Sequence, residues 1–267
     1  MLGNAVIGQY VAGDSPVHRL DPRTKISLAV VYLVLVFVAP GIPGLLALAL
    51  FTAVMLSCAR IPFRTVWNSV RPLLFIIVIT VLVNLFFAQS GDVLVHWAFV
   101  TITTGSLRAS VFLALRLLLL LFGVSLLTLT TAPLDLCDGA ERLMSPLARL
   151  GFPAHELAMM TSIVLRFIPV FVDEGRVLRR SQEARGADFS TGSLLARARS
   201  AVVLLVPMFA SALRHADGLA QAMESRCYHG GRGRTRMHVL RLARGDYLAF
   251  GLFALVIAAF VVWRVLV

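Results

Sequence analysis

Two arginines have the spacing best suited to recognition chemistry. Arg185 stands in Ala184-Arg185-Gly186 and Arg226 in Ser225-Arg226-Cys227. About forty residues separate them, room for a turn and a second long helix. A guanidinium is planar and makes two parallel hydrogen bonds to one carboxylate. Two of them on rigid rods therefore point to docking into two similar acidic sockets. Gly186 permits the tight helix stop that would present Arg185 at a tip. The plainer reading is a basic residue near a helix C-terminus, favoured by the dipole and by inner-leaflet phosphates. The repeated tripeptide favours docking. A third tripeptide, Ala243-Arg244-Gly245, lies at the entrance to an apolar run and needs only a membrane-flank explanation.

Helices must position both arginines. From Ala154 to Ala184 the apolar residues Leu157, Met160, Ile163, Val164, Phe167, Val170 and Phe171 recur at helical spacing. Leu194 to about Arg226 repeats the pattern with Val203, Leu204, Met208, Leu213, Leu219 and Met223. Each stretch contains one proline, Pro169 or Pro207, and a kink is expected at each. The match predicts two related long helices that cross, each packing one face on a membrane domain or a partner.

The chain has 267 residues, 58% of them hydrophobic, and a net charge of +11; its mean hydropathy is +0.85. These values exclude a soluble globular domain and place it in the membrane class. The positive excess reads as inner-face loops rather than nucleic-acid binding. Apolar runs span Ile26 to Ala39, Gly44 to Ala59, Pro72 to Ala88, Leu107 to Thr131 and Tyr247 to Val267. The first two are short against the roughly 20 residues a bilayer asks for. The expectation is an all-α membrane protein with about five transmembrane helices plus long crossed cytoplasmic coupling helices. Its divisions are a cytoplasmic segment at 1–25, a four-span region at 26–131, a coupling region at 132–246 and a last membrane helix at 247–267. Arg19, Arg23, Lys25, Arg60, Arg64 and Arg71 put the N-terminus and the coupling region in the cytoplasm of a plasma-membrane protein. Met1 to Tyr10 does not read as a cleavable signal peptide.

Several chemistries find no residues. Lys25 is the only lysine and follows no glycine-rich loop, so ATP hydrolysis of the Walker type is excluded. Cys58, Cys137 and Cys227 stand apart, and the six histidines show no metal spacing. No carboxylate lies between Asp21 and Asp92, whereas ion-coupled carriers generally need intramembrane acids. Asn84 reads as an interhelical hydrogen bond. Arg116, inside the fourth run, faces a polar interior, meets another subunit, or snorkels. The stretch His229 to Arg236 reads as a basic linker touching anionic lipid.

Five groups of residues also carry a family likeness. Gly8-Gln9-Tyr10 precedes Gly13-Asp14-Ser15-Pro16-Val17-His18-Arg19-Leu20-Asp21-Pro22-Arg23-Thr24-Lys25, and Leu126 to Leu134 reads Leu-Leu-Thr-Leu-Thr-Thr-Ala-Pro-Leu. Leu165-Arg166-Phe167-Ile168-Pro169, Ala184-Arg185-Gly186-Ala187-Asp188-Phe189 and Ala222-Met223-Glu224-Ser225-Arg226-Cys227-Tyr228 follow. Together they resemble the transmembrane T component of energy-coupling factor (ECF) transporters over nearly the whole chain, most closely the shared-module type. The resemblance implies a non-catalytic subunit joining a membrane-embedded substrate-binding S component to two cytoplasmic ABC ATPases, for uptake of vitamins or other micronutrients. It implies that Ala184, Arg185, Gly186, Ser225, Arg226 and Cys227 dock on the ATPases, which would bind the ATP and Mg²⁺. The chain itself would carry no cofactor or metal and bind no nucleic acid. Met159, Met160 and Met208 would grip the S component, since methionine suits a surface that meets different partners; the alternative is that they fill the core. The second tip departs from the family's usual Ala-Arg-Gly or Ala-Arg-Ala and keeps only the arginine. A self-contained ion-coupled secondary transporter and a membrane scaffold are the other readings.

Overall fold

The computed structural model describes residues 10–87, 93–97, 100–187, 189, 194–230 and 242–266. Gly8 and Gln9, Asp188, the turn at 190–193 and the basic stretch at 231–236 lie outside them. Eight α-helices are described: α1 (Pro22–Val38), α2 (Gly41–Ala59), α3 (Phe63–Phe87), α4 (Thr104–Thr130), α5 (Pro133–Met144), α6 (Ala154–Ala184), α7 (Leu194–Ser225) and α8 (Arg244–Leu266). A 3₁₀ segment, Ser145–Leu150, precedes α6. By length and composition α2, α3, α4, α6, α7 and α8 are able to cross a membrane, with α6 and α7 the least apolar of the six. Helix α1 has 17 residues. The chain is an all-α multi-pass membrane protein.

One element was not expected. Val93–Trp97 (β1) and Val100–Thr103 (β2) pair antiparallel, with Val95 opposite Ile102 and Trp97 opposite Val100. The β-branched residues that favour this pairing lie in the connection before α4. Thr103 then caps α4 by a reciprocal pair with Ser106, each side-chain oxygen accepting the other's backbone N–H at 3.1 Å.

The chain divides into two compact units, Met1–Leu143 with His238–Val267, and Met144–Met237. The core of the first lies among α1, α2, α4 and α8, around Leu28, Tyr32, Leu35, Val36, Leu45, Leu48, Leu119 and Phe253. Tyr32 Oη lies 2.8 Å from Thr52 Oγ1 and 3.0 Å from the Leu119 carbonyl, so the buried hydroxyl is satisfied. Gly123 admits the tyrosine: a Cβ there would stand 2.2 Å from the Tyr32 ring. Asn84 makes the interhelical bond expected of it, accepting from Ser110 Oγ at 3.3 Å. Arg116 turns to the end of α1. It donates to the Phe37 carbonyl at 3.3 Å and lies over the Phe112 ring at 4.4 Å. Cation and ring share the desolvation of that position.

The polar N-terminal segment fastens this unit. Asp21 begins α1 by accepting the Arg23 N–H at 2.9 Å, and Pro22 fills a position whose donor would be idle. Asp246 reaches back from the first turn of α8: Oδ2 accepts the Ala243 N–H at 2.7 Å, and Oδ1 accepts the Asp21 N–H at 2.8 Å. One carboxylate, 1% exposed, thereby joins the starts of the first and last helices. Lys25 Nζ donates to the carbonyls of His18 at 2.9 Å and Thr130 at 3.0 Å, the latter at the end of α4. His18 Nε2 lies 3.1 Å from the Val11 carbonyl and so carries a hydrogen; Ser15 Oγ lies 2.7 Å from its Nδ1. The Val11 N–H donates to the Leu129 carbonyl at 3.0 Å.

Removing the lysine leaves the His18 and Thr130 carbonyls without their donor. Lys25→Met is therefore expected to lower the stability of the purified protein by about 1–3 kcal/mol. Thermal unfolding in detergent checks this, and an unchanged midpoint would show that the ammonium holds nothing.

Two arginine tips as the candidate functional site

Helices α6 and α7 fill most of the second unit and pack on each other. They have 31 and 32 residues, about 47 Å of rod each. The side chains that join them gather at their middles, as expected of rods that cross. Ser211 Oγ donates to Glu174 Oε1. The His215 ring meets Phe167 and Phe171 edge-on, both at 5.8 Å, and its Nδ1–H donates to the Ser211 carbonyl at 2.9 Å. Met208 packs over Gly175, where a Cβ would meet its Cε at 3.4 Å, an ordinary van der Waals contact. Both expected prolines, Pro169 and Pro207, lie inside the helices.

The two helices end in the same turn. At the end of α6 the Gly186 N–H donates to the Glu183 carbonyl at 3.0 Å and the Ala187 N–H to the Gln182 carbonyl at 2.9 Å. Gly186 stands at φ +91°. This is the Schellman arrangement, in which a left-handed residue folds the chain back over the last carbonyls. At the end of α7 the Cys227 N–H donates to the Glu224 carbonyl at 2.8 Å and the Tyr228 N–H to the Met223 carbonyl at 3.0 Å. Cys227 stands at φ +53°. The departure noted in the sequence thus leaves the backbone intact, because the cysteine accepts the left-handed conformation that glycine takes in the first tip. That conformation costs a residue with a Cβ about 1–2 kcal/mol. Ser225, which stands where the first tip has Ala184, donates from Oγ to the Ala222 carbonyl at 3.0 Å. His229 Nδ1–H donates to the Cys227 carbonyl at 2.8 Å beyond the turn.

Each turn presents its arginine in the same place, between the last helical residue and the left-handed one. Arg185 and Arg226 are both exposed, as are Ala184, Gly186, Ser225 and Cys227. Among the described residues neither guanidinium forms an ion pair. The acid closest in sequence to Arg185 is already engaged, since Arg179 Nε meets Glu183 Oε1 at 2.8 Å. The Arg179 guanidinium also lies 5.7 Å from the Phe189 ring, which follows the tip. By contrast Ala243-Arg244-Gly245 lies at the beginning of α8, the wrong end of a helix for such a turn.

The three methionines do not share one environment. Met160 is 57% exposed, Met159 is half-buried, and Met208 faces Gly175 across the helix pair. An apolar stripe runs along α7, where Val202, Leu205, Val206 and Phe209, not singled out in the sequence, are exposed together with the expected Leu213. Its spacing of three and four residues was the available signal. Among the described residues no group of three His, Cys, Asp or Glu side chains is placed to hold a metal ion.

The cobalt transport protein family, CbiQ, matches residues 13–239. The chain is also similar to three proteins named energy-coupling factor transporter transmembrane protein EcfT. That of Thermosediminibacter oceani is 48% identical over 244 residues, covering 91% of this chain and 92% of its own. That of Ruminiclostridium cellulolyticum is 43% identical over 266 residues, covering 100% and 98%. That of Clostridium kluyveri is 42% identical over 250 residues, covering 93% of each. The first tip lies well inside every one of these long matches in a chain of 267 residues. With two matched turns closing two long helices, the chain belongs to the family of transmembrane components of energy-coupling factor transporters.

Proposed function

We propose that this chain is the non-catalytic coupling subunit of an ECF-type ABC importer for vitamins or other micronutrients. It passes the ATP-driven motion of two cytoplasmic ATPases to a membrane-embedded S component. ATP and Mg²⁺ are held by the ATPases, and the chain needs no cofactor of its own. The observation that carries this reading is the equivalence of the two helix ends. Both are closed by the same pair of backbone hydrogen bonds, and both leave one guanidinium exposed. Two equal contacts of this kind suit a pair of like motors, each offering a carboxylate to a tip. The N-terminus and both tips lie on the cytoplasmic side, in keeping with Arg19, Arg23, Arg60, Arg64 and Arg71 near the first spans.

Motion enters at the tips and reaches the middles of α6 and α7, where Glu174, Ser211 and His215 lock the rods together. A rigid pair carries a displacement of its ends to the faces above the lock. The S component is assigned to the exposed apolar surface there, including Met159 and Met160 on α6 and Phe209 beside Met208 on α7. Methionine and phenylalanine side chains adapt to, and bury much area against, more than one partner.

Reversing either charge opposes a carboxylate with a carboxylate. Arg185→Glu or Arg226→Glu is expected to weaken ATPase binding by at least about 2 kcal/mol, roughly thirty-fold, and to uncouple ATP hydrolysis from uptake. Copurification and vitamin uptake in vesicles measure both, and wild-type values in the double variant would end the proposal. The turn itself is tested by Cys227→Gly. Relief of the left-handed cysteine raises stability by about 1 kcal/mol with coupling unchanged. A loss of coupling there would mean that the thiol, not the turn, does the work.

A further inference from the structure

We infer that the first unit holds one anionic phospholipid at a built site, with an acyl chain in an apolar slot and the phosphate in a basic basin at its mouth. The site is separate from the arginine tips and does not depend on how they dock.

The slot runs between α1, α2, α4 and α8. Leu28, Ala29, Phe51, Met55, Leu127 and Phe253 line it. Lys25 stands at one end and Tyr32 further in, seven residues and so about 10 Å of helix apart. Both polar groups are already committed: Lys25 Nζ to the His18 and Thr130 carbonyls, Tyr32 Oη to Thr52 and Leu119. The slot therefore offers its occupant apolar surface and nothing that calls for water, which suits a hydrocarbon chain.

At the Lys25 end, Leu20 lines both the slot and a second, open chamber of about 1020 Å³. Arg19, Arg60 and Arg244 line this basin together with Asp14 and Asp246. The two acids are occupied. Asp14 holds Arg19 at 2.8 Å, which keeps its carboxyl below the usual range, and Asp246 accepts two backbone N–H groups. Arg60 and Arg244 are exposed and form no ion pair among the described residues. Arg60 is held there by the left-handed end of α2, at φ +53°. Arg244 begins α8. Two free guanidiniums over an apolar slot in a membrane protein match a lipid phosphate and its tail in both charge and polarity. A free phosphate would leave the slot unused, and a neutral lipid would leave the arginines unused.

Native mass spectrometry of the full-length chain in detergent, titrated with phosphatidylglycerol and phosphatidylcholine of identical acyl chains, tests the assignment. The expected result is one tightly held lipid, with phosphatidylglycerol preferred about tenfold. Arg60→Gln with Arg244→Gln abolishes the preference while one lipid stays bound. Arg64→Gln with Arg71→Gln, which removes two exposed charges lining neither chamber, leaves the preference intact. Ala29→Phe, which fills the slot, releases lipid of both kinds. Equal affinity of the wild-type chain for the two lipids would overturn the proposal, as would a preference that survives loss of Arg60 and Arg244. Retention of lipid by a folded Ala29→Phe chain would overturn the slot.

Discussion

A helix leaves the last carbonyls of its final turn without partners in the helix, and each must be answered from elsewhere. This chain answers that constraint in two ways, with cations and with left-handed residues; Arg60, at the end of α2 in the first unit, is one of the latter. At the ends of α4 and α1, cations are used as caps. Lys25 takes the Thr130 carbonyl at the end of α4, and Arg116 takes the Phe37 carbonyl at the end of α1. In the second unit, α6 and α7 fold their own backbone over the carbonyls through left-handed residues, Gly186 and Cys227. Their arginines are then released from capping and remain exposed for a partner. A cation spent on its own helix cannot also grip a carboxylate on another protein.

The same economy of partners explains the tight N-terminal fastening. Asp246 is shared between the start of α8 and the backbone of Asp21, residues 225 positions apart in sequence. A buried carboxylate with both oxygens accepting N–H groups is stable only if those donors stay in place. The bond therefore fixes the first and last helices of the unit to each other. Around it, apolar packing of α1, α2, α4 and α8 gives the membrane part its core. The second unit consists mostly of two long rods, α6 and α7, joined by side chains near their middles.

Local signals made much of this legible in the sequence. The 3.6-residue periodicity located α6 at 154–184 and α7 at 194–225 to within a residue, and the paired tripeptides marked their ends. The four apolar runs before residue 132 fell on α1 to α4. Long-range pairings were not legible. Lys25 read as a flank of the first span, because its partner at Thr130 lies 105 residues away. The short hairpin was missed because strands of five and four residues carry little periodicity among long helices. Cys227 read as a departure from the glycine pattern, since nothing in a side-chain alphabet reveals a left-handed backbone at a non-glycine residue. The role of Met208 was also hidden: its place against Gly175 follows from the register of two helices, not from its own type.

The cysteine at the second tip supplies the most direct measurement of the central claim, that the two turns are seated in ATPase sockets. Cys227 is exposed next to Arg226, and Cys58 is exposed in the other unit and serves as an internal reference. Alkylation of both thiols by a membrane-impermeant maleimide can be followed by peptide mass spectrometry, in the isolated chain and in its complex with the ATPases. The account predicts that complex formation slows labelling of Cys227 at least tenfold while Cys58 reacts as before. Equal labelling of Cys227 in the two states would contradict it.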